Sequence, residues 1–191
     1  MTAFGPNNRP MTDLVIFFSN TDFNGVQTPH GDAIVITLTV ANFEVERVLI
    51  DNGSSAGILY HDVLEKLNLG SDRLKSVDSP LYGFLGEPIH VEGAIKLLVT
   101  VGIAPCQSTI MVKFLTLKLP SAYNMIIGRP SLNALGAIVL TFHMKLMFLA
   151  SSGVGVACGD QKMAGQCYLT ALRPKTNESL QIGISDLRFH H

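Results

Sequence analysis

A chain of 191 residues that is 47% hydrophobic and 15% charged carries enough apolar side chain for one sizeable core and does not read as disordered. Its formal net charge of -1, from 14 basic and 15 acidic residues with no basic run, excludes the electropositive stripe on which non-specific nucleic-acid binding is built. The three cysteines, Cys106, Cys158 and Cys167, have no CxxC or metal-ligand spacing. They are expected as buried free thiols in a reducing, intracellular and cytoplasmic setting, with no metal and no cofactor.

Residues 1–13 hold Gly5, Pro6, Asn7, Asn8 and Pro10 and read as a loose leader without a signal-peptide core. A first short strand is expected over residues 14–18. Residues 32–40 alternate cleanly, with Ile34, Ile36, Leu38 and Val40 on one face. A turn at Asn42, Phe43 and Glu44 leads into a second strand, 45–50, and the two form a β-hairpin. That second strand ends in Val48-Leu49-Ile50-Asp51-Asn52-Gly53-Ser54-Ser55. Strand-forming residues deliver Asp51 to the rim of a core, and Gly53 lets the chain fold back at once. A general acid or base is commonly mounted in this way.

Val63, Leu64 and Leu67 recur at helical spacing, so a short helix is expected over residues 60–67. After Ser79 and Pro80, residues 81–86 place Gly83 and Gly86 around Phe84 and Leu85, a hairpin tip between apolar arms. Pro88 passes into an apolar stretch over 89–101, and 107–119 is a further strand. Tyr123 to Arg129 reads as a strand ending at Gly128, with Pro130 in the first turn of a short helix through Leu135. Residues 137–149 are apolar strands with a hairpin around 143–145. Glycine-rich 151–159 is expected as a loop, and 173–191 as a polar, poorly ordered tail. The apolar stretches are too short to span a bilayer. There is no internal repeat: the Asp51 turn has no second copy. Short strands and short loops indicate an all-β barrel or sandwich with two small helices.

The order of these motifs is more specific than any one of them. An apolar strand ending in Asp-x-Gly-Ser-Ser, a glycine-bearing hairpin, and Ile126-Ile127-Gly128-Arg129 before a short helix resemble the retropepsin-like aspartic proteases. Residues 17–172 are similar to the protease region of plant gypsy-type (Ty3-like) retrotransposon Gag-Pol polyproteins. Thr28-Pro29-His30, Arg47 to Ser55, Ser121-Ala122-Tyr123-Asn124, Ile127-Gly128-Arg129-Pro130 and Gly159-Asp160-Gln161 carry that resemblance.

The resemblance implies a closed acid-protease barrel over residues 14–172, one half of a two-fold dimer. By position, Asp51 would be the catalytic aspartate, in a loop with Asn52, Gly53 and Ser54, and Ser54 would hydrogen-bond the outer carboxylate oxygen. Gly83, Phe84, Leu85 and Gly86 would form the flap tip, and Ile126, Ile127 and Gly128 would brace the active-site loop. The implied reaction is hydrolysis of a peptide or polyprotein by water held between two carboxylates that share one proton. Because this chain has a single Asp-x-Gly at a strand end, the second carboxylate would come from another copy. No nucleic acid or membrane partner is implied. Two positions depart from the family pattern: Asn52 replaces Thr or Ser, and Gly57 replaces an acidic residue. Residue by residue, Asp-Asn-Gly is also an ordinary turn tripeptide, and an inactive fragment that only dimerises is the second reading.

Overall fold

The structure is a computed structural model that describes residues 15–23, 25–77, 81–83, 86–172 and 187–189, the last three by backbone alone. The alternation in residues 32–40 becomes β1 (Val35–Val40), with Val35, Ile36, Leu38 and Val40 buried. Ala41 and Asn42 then take positive φ, 48° and 75°. Such a pair of left-handed residues matches the twist of a two-residue hairpin. β2 (Phe43–Asp51) therefore starts within the segment expected as the turn and runs back antiparallel to β1.

Beyond the Asp51 turn come β3 (Gly57–Tyr60) and α1 (His61–Lys66), whose Val63 and Leu64 are buried. A two-stranded ribbon follows, β4 (Leu81–Tyr82) with β5 (Pro88–Ile89). β6 (Gly93–Val101) and β7 (Ser108–Leu117) make a long hairpin, and β8 (Met125–Gly128) leads into α2 (Arg129–Ala134). Next are β9 (Ile138–Leu140), β10 (Lys145–Ala150), β11 (Gly153–Cys158), α3 (Gln161–Leu172) and β12 (Leu187–Phe189).

The main sheet runs β1-β6-β7-β3-β8-β2, and the β1–β2 pairing closes it on itself. Closure leaves no open edge between these strands. Their inward faces supply the core, including Val48, Leu59, Phe114, Met125 and Ile127. A separate β11-β10-β9 sheet adds Leu146 and Phe148 to the same cluster. The all-β barrel expected from the sequence is therefore present. Within the expected tail, Leu187–Phe189 pairs with Val45–Phe43 on β2.

Four expectations are corrected. Residues 15–18, expected as strand, have no sheet partner among the described residues; they lead into a 3-10 turn at Asn20–Phe23. That turn is held by Phe23 stacking on Phe142 and by the Asp22–Lys145 pair at 2.9 Å. Residues 153–158, expected as loop, form β11, paired with β10 along its whole length. Gly155 looks like loop chemistry but is a packing glycine, since a Cβ there would meet the Phe148 ring and lie 2.6 Å from the Cys106 carbonyl oxygen. The helix count also rises, because α3 has 12 residues. Asp160 caps it by accepting from the Met163 N–H at 2.9 Å. Finally, of the three free cysteines only Cys167 is buried, while Cys158 is exposed.

Candidate active site

Val45, Val48 and Ile50 point into the barrel and hold β2 in place. The strand carries a bulge on the way: Arg47 has φ 55°, and the β1–β2 register shifts between Ile36 and Leu38. Beyond the bulge β2 runs parallel to β8, with Val48, Leu49, Ile50 and Asp51 opposite Met125, Ile126, Ile127 and Gly128. Asn124, 1% exposed, spans the junction. Its Nδ2 donates to the Glu46 carbonyl at 2.8 Å and its backbone N–H to the Arg47 carbonyl at 3.0 Å. Its own carbonyl accepts from the Tyr60 N–H at 3.3 Å. One buried amide thus ties β2, β3 and β8 together just upstream of Asp51. Beside it, burial pushes the Tyr123 hydroxyl above its usual value, with smaller contributions from Cys167 and Tyr60.

Asp51 is half-buried at the strand end. Its Oδ1 accepts from the Gly53 N–H at 2.9 Å, and its carbonyl accepts from the Ser54 N–H at 3.3 Å. One carboxylate oxygen is thereby fixed by the turn. The Ser54 hydroxyl donates to the Ala56 carbonyl at 2.8 Å, in place of the expected bond to the carboxylate. The loop therefore uses that hydroxyl to hold its own return. The Ser54 carbonyl in turn accepts from the Arg129 N–H at 2.9 Å, which fastens the loop to the end of β8. Asn52 is exposed at the tip. Gly57 is buried with a Cβ position only 3.0 Å from Phe114 Cδ1, so packing explains why no acidic side chain stands there.

The structure brings the Asp51–Ser54 loop beside Ile126, Ile127 and Gly128, with Ile50 opposite Ile127 and Asp51 opposite Gly128. Gly83 and Gly86 form the turn of the β4–β5 ribbon, where the Gly83 N–H donates to the Glu87 carbonyl at 2.8 Å and the Gly86 N–H to the Gly83 carbonyl at 3.0 Å. Phe84 and Leu85 lie outside the described residues. A groove of about 440 Å³ opens beside the Asp51 loop, lined among others by Ser55, Ala56, Leu81, Met111, Lys113 and Pro130. In the sequence Asn124 stands out only as a polar residue directly before an apolar strand, at the end of Ser121-Ala122-Tyr123-Asn124.

Among the described residues no cluster of three or more His, Cys, Asp or Glu side chains is placed to hold a metal ion. No described helix is long and apolar enough to cross a membrane.

No protein-family model matches the chain, and no curated protein matches it. Among solved structures it is similar to the retroviral protease-like domain of Ddi1 from Leishmania major, with TM-score 0.46 and 18% identity over 65% of this chain and 92% of that one. It is also similar to EIAV protease complexed with the inhibitor HBY-793, with TM-score 0.43 and 18% identity over 60% of this chain and 99% of that one. A retropepsin-like aspartic protease from Rickettsia conorii gives TM-score 0.41 and 16% identity over 66% of this chain and 87% of that one.

Proposed function

We propose that this chain is an aspartic endopeptidase that works as a two-fold homodimer with one Asp51 contributed by each copy. The observation that carries this reading is the mounting of Asp51. A buried strand delivers the carboxylate, the Gly53 N–H fixes one of its oxygens, and the loop behind it is fastened to Gly128 and Arg129. A carboxylate held this firmly at a strand end loses little freedom on approaching a second one.

Two facing carboxylates a few ångströms apart share one proton. The ionised Asp51 takes a proton from the water between them, and the water oxygen attacks the scissile carbonyl carbon. The protonated Asp51 of the partner hydrogen-bonds the carbonyl oxygen as charge develops there. Collapse of the tetrahedral intermediate breaks the C–N bond, and the amine leaves with a proton returned by a carboxylate. Gly83, Phe84, Leu85 and Gly86 would close over an extended peptide, and the resemblance of the sequence motifs to those of plant gypsy-type elements makes a retrotransposon polyprotein the proposed substrate.

The test pairs activity with assembly. Purified protein should cleave a hydrophobic peptide at acidic pH, be blocked by a statine-type transition-state mimic, and lose about 100-fold or more of its rate in Asp51→Asn. Sizing should find the active species to be a dimer. Full activity from a strict monomer, or cleavage that survives Asp51→Asn, overturns the reading. Dimers without any cleavage would make the chain a retropepsin-like interaction module.

A further inference from the structure

The outward face of the β6–β7 ribbon carries an arrangement that the barrel does not use. Register sets Lys96 opposite Lys113, Leu98 opposite Met111 and Thr100 opposite Thr109. All six lie on the side away from the core, and only Thr100 is partly covered. The threonine rung is satisfied by a 2.8 Å hydrogen bond between its hydroxyls. The other two rungs are not. Residues directly opposed across an antiparallel pair have Cβ atoms about 4.5–5.5 Å apart, so two ammonium side chains there repel. Among the described residues neither Lys96 nor Lys113 has an acidic partner. Beside them Leu98 and Met111 remain 51% and 57% exposed. Met111 and Lys113 also line the 440 Å³ groove, so this face continues into it toward Val77 and Leu81.

We propose that this face docks an extended polypeptide segment in which acidic and apolar residues recur at every second position. An extended chain repeats its side chains on one face every two residues, about 6.6–6.8 Å, which is the spacing from the lysine rung to the Leu98–Met111 rung. A carboxylate seated over Lys96 and Lys113 meets two cations at once and removes their repulsion. The apolar residue two positions along then covers Leu98 and Met111. Nucleic acid fits less well, because phosphate-backbone affinity needs many cations and this face has two lysines beside bare apolar surface. Docking here requires neither Asp51 nor turnover, so it stands or falls separately from the protease reading.

The experiment titrates the full chain carrying Asp51→Asn with a fluorescein-labelled (Glu-Val)4 peptide and follows anisotropy. Saturable binding is expected that weakens tenfold or more in Lys96→Glu, and the (Lys-Val)4 peptide should not bind. Lys96→Glu converts the repelling rung into an opposite-charge pair, so its melting temperature should rise while binding falls, which separates loss of the site from loss of fold. Leu98→Ser with Met111→Ser should weaken binding with both lysines intact. Unchanged binding in Lys96→Glu, equal binding of (Lys-Val)4, or a single-stranded oligonucleotide competing as well as the acidic peptide overturns the proposal.

Discussion

Asp51 and Gly128 are register partners at the ends of parallel strands, and the loop between Asp51 and β3 fills the space a side chain at Gly128 would need. A Cβ there would lie 2.8 Å from the Ala56 carbonyl carbon and 2.9 Å from the Ser54 carbonyl oxygen. Both are backbone atoms, so neither can turn aside. Gly128→Ala should cost about 1–3 kcal/mol by overpacking, read as a lower urea midpoint with unchanged slope. Gly53→Ala meets only Asp51 Oδ1, at 3.2 Å. Its stability should stay within about 0.5 kcal/mol of the parent while hydrolysis falls, because the carboxylate is what moves.

Asn124 acts on the same strand end from the other side. Its Nδ2 donates to the Glu46 carbonyl at the bulge where β2 turns to follow β8. Asn124→Leu keeps similar bulk but strands that carbonyl. A loss of about 1–3 kcal/mol in chemical denaturation is expected. A variant as stable as the parent would show that the bulge holds without the amide.

Asp22 anchors residues 19–23 to the β9–β10 turn. The hydrogen bond from Lys145, at 2.9 Å, holds its carboxyl below the usual 3.8, and the Ser19 N–H adds to this at 2.8 Å. A carboxyl whose folded value is depressed contributes above its unfolded value, about 3.9, and that contribution is lost as pH falls through the lower folded value. Proteolysis of this segment by an acid-active protease should therefore accelerate below about pH 4 in the parent. With each rate normalised to an unstructured control peptide cut by the same protease, Asp22→Asn should be as susceptible above about pH 4 as below it, and equal acid sensitivity in both would remove the anchor from the account.

Gly155 and Phe148 form a coupled pair across β10 and β11, where they are register partners. Gly155→Ala places a methyl group into the Phe148 ring and against the Cys106 carbonyl. A cost of about 1–3 kcal/mol is expected. Phe148→Leu should recover part of it, visible as a coupling of about 0.5 kcal/mol or more in a double-mutant cycle. Strict additivity would mean that the ring is not what excludes the methyl.

The run of residues by itself determined whatever rests on local periodicity. On β1, Ile36, Leu38 and Val40 are buried while Thr37 and Thr39 between them are not, and that alternation is visible without neighbours. The same holds for the strand that ends at Asp51, for α1 with its Val63 and Leu64, and for the Ile126-Ile127-Gly128 strand with Pro130 behind it. Only the tertiary structure decided what each residue meets. Gly155 reads as loop until the Phe148 ring is beside it, and residues 15–18 read as strand although no described strand pairs with them. α3 buries only Ala164 and Cys167, too narrow a stripe to announce a helix. The Ser54 hydroxyl chose the Ala56 carbonyl over Asp51, and Asn124 reached back to Glu46, 78 positions earlier. Period and turn chemistry are properties of adjacent residues, whereas a hydrogen-bond partner or an excluded methyl group is set by atoms that folding alone brings together.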